Sequence, residues 1–201
     1  MVKFYLAAFS LLILCTTLQA TATASDTAVM LVDMQVNFLD GAKHQKVGML
    51  LKKQIEVLKV ALERGYKVMV FEYDEMGETA PQIRALLAQF PPQNVVYLSK
   101  GTNGGLNPDF DGDFADEILR GWGIRKLLLL GLNALACIRE TGLGAVRRGY
   151  EVYSSHDVVT HIEGNDRTIH YPWCKWETMY EFKVFKTNYE MLSCNDILGE
   201  D

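Results

Sequence analysis

Lys126–Tyr153, KLLLLGLNALACIRETGLGAVRRGYEVY, decides the fold. Its Leu run ends at Gly131 and reads as a strand buried on both faces, as strands of a parallel sheet are. From Ala136 to Arg148, small and apolar residues recur at helical spacing and stop at Gly149; Glu151 to Ser154 is again a strand. Strand, helix and strand in succession form a crossover, which parallel pairing requires. Cys137 falls where the strand's end meets the helix start. The N–H groups there point outward, unpaired and partly positive, so they favour thiolate over thiol and can hold an oxyanion. A lone Cys in that place is more often a small apolar group packing helix on sheet, so other residues must decide its role.

Two further apolar runs end comparably. Thr27–Val32 (TAVMLV) delivers Asp33, and Val95–Leu98 (VVYL) delivers Ser99 and Lys100. In an open parallel sheet the carboxyl ends of the strands share one edge, and ligands bind in the crevice there. Separately, Asp33 could cap a loop and Lys100 could be a solvated charge. Together with Cys137 they supply an acid to take a proton, a cation to favour a thiolate and a thiol to attack a carbonyl. Between them the chain alternates: a helix over Val47–Arg64, a strand over Lys67–Phe71, a short helix over Gln82–Gln89 and a helix around Ala115–Leu119. A final strand is expected near Phe182–Phe185. This is an α/β chain with a parallel sheet covered by helices on both faces. Asn107, Asp109, Asp111 and Gly112 mimic the start of a calcium loop, but Ile118 stands where the closing Glu belongs.

On these segments the chain resembles the isochorismatase-like cysteine hydrolases, among them nicotinamidases and carbamoylsarcosine amidases. AVMLVDMQVNFLDG is similar to the family's first strand with its Asp-Met-Gln, and implies Asp33 as general base. Lys100 matches the Lys after the third strand. GLNALACIRETGLGAVRRGYEVYSSHDVV matches the Gly-to-Cys turn and the following helix, and implies Cys137 as nucleophile. The resemblance further implies a three-layer sandwich with a six-stranded parallel sheet. It places a non-proline cis peptide between Leu132 and Asn133, and an oxyanion hole built from the backbone N–H groups of Asn133 and Cys137. The implied activity is cleavage of an amide or ureide C–N bond through a Cys thioester, with a small-molecule substrate and no cofactor. Vinyl ether hydrolysis is the runner-up, although the enzymes that perform it tend to lack this Cys. Two readings from other classes stand beside it: a binding module on the same fold, should the loop after Lys100 misplace the Lys, and a thiol redox protein that uses Cys137. Homo-oligomers are compatible with the resemblance, but the sequence does not mark their interfaces.

The chain departs from the family in two places. Where nicotinamidases carry a metal-binding Asp-x-His, VMVFEYDEMG has Asp74, Glu75 and Met76, and no metal site is expected. After Lys100, where the family has Ser or Ala and a Phe, stand Gly101, Thr102, Asn103, Gly104, Gly105 and Leu106.

Lys3 followed by an apolar run over Phe4–Leu14 and the small-residue site Ala22, Thr23, Ala24 reads as a secretory signal peptide, residues 1–24. The run is shorter than the roughly 20 residues a membrane span needs. Cleavage after Ala24 leaves one domain, residues 25–201, in a secreted or periplasmic location. Losing Lys3, the leader's only charge, moves the net charge from −5 to −6. A mildly acidic chain without basic clusters gives no reason to expect nucleic acid or a membrane surface as partner. The cysteines left are Cys137, Cys174 and Cys194. In an oxidising compartment the expectation is a Cys174–Cys194 disulfide with Cys137 free; two buried thiols are the other reading.

Overall fold

The structure, a computed structural model, describes residues 25–41, 47–108, 110–134, 136–155, 158–160 and 183–185. The expected leader and both Cys174 and Cys194 lie outside the described residues.

Strands β1 (Thr27–Val32), β2 (Lys67–Tyr73), β3 (Val95–Lys100), β4 (Lys126–Gly131), β5 (Glu151–Ser155) and β6 (Lys183–Phe185) form one parallel sheet in the order β3-β2-β1-β4-β5-β6. The central pair explains the sequence pattern. Every residue of β1 is buried, as is all of β4 after Lys126, because helices cover both faces of a parallel sheet. Register pairs Val32 with Gly131, so the two strands end side by side. Burying side chains such as Leu129 and Leu130 fully contributes about 2 kcal/mol each relative to leaving them exposed.

The helices are α1 (Val36–Gly41), α2 (Val47–Glu63), α3 (Pro81–Leu87), α4 (Phe110–Gly121) and α5 (Cys137–Arg147). Along α2, the residues Leu50, Gln54, Val57, Leu58 and Ala61 are buried, one stripe at the three-to-four-residue spacing a helix face requires. Pro81 starts α3, where a missing N–H costs nothing. Helix α4 begins five residues before the expected Ala115: its acidic stretch resembles a turn in composition, yet suits the positive end of a helix dipole. Helix α1 is not marked in the sequence. It is positioned by hydrogen bonds to a distant loop, Val36 N to Glu78 O at 3.0 Å and Asn37 N to Met76 O at 3.4 Å.

Candidate active site

The site is assembled at the carboxyl edge of the sheet from three strand ends. Asp33 follows β1 directly and adopts φ 54°, a left-handed conformation uncommon for a residue with a side chain. Its N–H donates to Phe71 O at 3.0 Å, which anchors the backbone to β2. Lys100 is the last residue of edge strand β3 and reaches past the end of β2. Its Nζ lies 2.9 Å from Asp33 Oδ2. Both side chains are buried, Asp33 at 0% and Lys100 at 1% exposure. Lys100 Nζ also donates to Thr102 O at 3.1 Å and stands 4.6 Å from the centre of the Tyr73 ring, whose face attracts a cation.

Cys137 is the first residue of α5 and 3% exposed. Gly131 brings it there. At φ 136° its Cα packs against Val32 O, and a Cβ would collide with that carbonyl. Leu132 N then donates to the same oxygen at 2.9 Å, so the turn out of β4 is tied to the residue preceding Asp33. The Leu132–Asn133 peptide is cis. Ala136 and Ile138 donate to Asn133 O, while the Asn133 N–H reaches the Cys137 sulfur. As the first helical residue, Cys137 has no intrahelical acceptor for its own N–H. Asn133 and Cys137 thus present two backbone donors near one thiol.

Ionisation follows from burial. Desolvation raises the Asp33 carboxyl above the usual carboxylate range, against the opposing pull of Lys100 and of the nearby thiol. The Cys137 thiol is pushed up to about 11, first by burial and then by the Asp33 charge. Lys100 and the Asn133 N–H pull it down but are outweighed. Lys100 thus favours the thiolate as the sequence reading expects, but burial and the Asp33 charge outweigh it. Lys100 acts in that direction, but it is already paired, and the arrangement at rest is a neutral thiol beside an ion pair. Such a pair suits general base catalysis, with a carboxylate of raised basicity beside the proton it would take.

Several supporting residues were not singled out from the sequence. Gln35, 1% exposed, donates through Nε2 to Tyr73 O at 2.9 Å and to Gly77 O at 2.5 Å, and accepts from Tyr73 N at 2.6 Å, so it clamps the loop after β2. The Gly-rich loop after Lys100 folds onto α5: Gly105 N donates to Thr141 Oγ1 at 3.0 Å, and Gly144 packs against Leu106 O so closely that a Cβ would clash. Arg148 donates to Leu106 O at 3.0 Å and to Asn107 O at 2.8 Å. Between these anchors, the Asn103 Oδ1 accepts from the Cys137 thiol at 3.5 Å. Asp74 accepts a hydrogen bond from Ser99 Oγ. Among the described residues no group of three His, Cys, Asp or Glu side chains is arranged to hold a metal ion.

Residues 27–171 match the model of the isochorismatase domain family. The probable hydrolase YcaC of Escherichia coli (strain K12) is 25% identical over 151 residues, which make up 74% of this chain and 68% of YcaC. Among solved structures, N-carbamoylsarcosine amidase from Thermoplasma acidophilum superposes with a TM-score of 0.61 at 21% identity, over 81% of this chain and 96% of the amidase. A nicotinamidase from Staphylococcus aureus superposes with a TM-score of 0.66 at 15% identity, over 81% and 99% of the two chains. At these identities the two structures speak for the shared fold.

Proposed function

The chain belongs to the isochorismatase family and is a hydrolase of that family; on that premise we propose that it is an exported cysteine hydrolase that cleaves a C–N bond of a small amide or ureide. The observation that carries this reading is the convergence of Asp33, Lys100 and Cys137, from three separate strand ends, beside the Asn133 N–H. Asp33 takes the Cys137 proton as the sulfur attacks the carbonyl carbon. The carbonyl electron pair moves onto oxygen, where the N–H groups of Asn133 and Cys137 hold it. Asp33 returns the proton to the leaving nitrogen, and water then hydrolyses the thioester with Asp33 again as base. Lys100 keeps the Asp33 charge tolerable inside the protein in each step where the carboxylate is ionised.

Ammonia release from a panel of primary amides and ureides, by the protein and by its Cys137→Ala variant, tests this. Release that depends on Cys137 supports the amidohydrolase reading and begins to name the substrate. Silence across the panel, with isochorismate as a vinyl ether control, returns the weight to a binding module.

A further inference from the structure

Cys137 has two acceptors within reach and one hydrogen to give. The thiol lies close enough to the Asp33 carboxyl to hydrogen-bond it and for each to alter the other's ionisation, and it also reaches Asn103 Oδ1, 3.5 Å away. Asp33 Oδ2 is occupied by Lys100, and Asp33 Oδ1 is buried with no donor at full hydrogen-bonding geometry. A buried carboxylate oxygen short of a well-placed donor, beside a thiol whose one hydrogen Asn103 also attracts, describes a base that competes for its proton. Asn103 sits between pinned flanks: Gly101 O accepts from Tyr73 Oη at 3.2 Å and Thr102 O from Lys100, while Gly105, Leu106 and Asn107 are held by α5 and Arg148. Asn103 itself is exposed, whereas the thiol it touches is buried.

We propose that Asn103 couples substrate recognition to release of the thiol: an N–H of the substrate takes over Asn103 Oδ1, and the freed thiol hydrogen turns to Asp33 Oδ1. This rests on the hydrolase reading above and adds a selection rule to it. Carbonyl compounds with an N–H beside the carbonyl, primary amides and ureides, are preferred over esters and tertiary amides of the same shape. The hydrogen passes from sulfur to Asp33, the sulfur pair forms the S–C bond, and the carbonyl π pair goes to oxygen.

Iodoacetamide and iodoacetone test this without a known substrate, because they match in size and differ by NH2 against CH3. With either, the sulfur forms a C–S bond, iodide leaves with the pair of the C–I bond, and the thiol proton goes to Asp33. Rate constants for Cys137 are read by mass spectrometry of its peptide, and dividing one by the other cancels the thiolate fraction. The expected iodoacetamide-to-iodoacetone ratio exceeds that of glutathione by about five- to tenfold, the worth of one neutral hydrogen bond. It falls to the glutathione value in Asn103→Leu and persists in Asn103→Asp, which keeps an acceptor. A wild-type ratio equal to that of glutathione, or a preference that survives in Asn103→Leu, overturns the proposal. The hydrolase reading fails separately, by absence of Cys137-dependent ammonia release whatever the labelling ratio.

Discussion

The Lys100 ammonium stands 2.9 Å from the Asp33 carboxylate, with both groups cut off from solvent, although the two residues leave the sheet from strands separated by β2. An ion pair taken out of water in this way is strongly destabilised when only one partner is removed, because the survivor keeps its desolvation cost and loses its compensation.

Lys100→Met therefore leaves Asp33 as an uncompensated buried carboxylate and should destabilise the protein by about 3 kcal/mol at pH 8. Without the cation, the Asp33 pKa rises further above its already raised position, so protonation relieves the strain as pH falls. Urea unfolding at pH 8 and pH 5 should show a clearly smaller loss at pH 5. A deficit that does not change with pH would mean that the Asp33 charge is not its cause.

The Cys137 thiol, pushed up to about 11, makes a second pH prediction. An unfolded Cys ionises near pH 8.5, roughly, so between that pH and 11 the folded protein binds more protons than the unfolded chain. Stability from this group is fully present below the lower value and is lost as pH rises through the folded pKa. Over that window the wild type should lose more unfolding free energy than Cys137→Ala. Parallel curves for the two proteins would contradict a raised thiol.

Gly131→Ala should impair the site far more than its one added methyl suggests. The new Cβ would meet Val32 O, the carbonyl that also receives Leu132 N, and φ 136° is strained for alanine. Both β1, which carries Asp33, and the turn to Cys137 must shift. A stability loss of about 2 to 4 kcal/mol, with Cys137 reactivity toward iodoacetamide altered, is the expected outcome. Thermal melts beside alkylation rates check it, and a neutral substitution would show that this close approach is absent.

Export is testable by expressing the full chain with its first 24 residues and sequencing the N-terminus of the protein outside the cytoplasm. Ser25 as the first residue is expected. In that material, alkylation under denaturing conditions should label Cys137 alone, with Cys174 and Cys194 labelled only after reduction. Retention of Met1 would overturn the leader reading, and three labelled thiols would overturn the disulfide.

The amino-acid sequence alone determined every strand, most of the helices and their order along the chain, because a buried parallel strand and a helix stripe each impress a local period. The Leu run ending at Gly131, the TAVMLV run and VVYL mark β4, β1 and β3, and each hands over one of Cys137, Asp33 and Lys100 at its end. Only tertiary structure decided what those residues do to one another. Helix α1 depends on contacts with residues some forty positions away, and the Gly-rich loop is shaped by Thr141, Gly144 and Arg148 of the segment that follows β4. Asn103, 34 positions from the thiol that reaches it, stood out in the sequence only as part of an unusual loop, with nothing to pair it with Cys137. The direction of the thiol's ionisation was likewise beyond reach, since it is set by competition between burial and two opposite charges. Burial is a property of everything packed around a group, which no window of sequence contains.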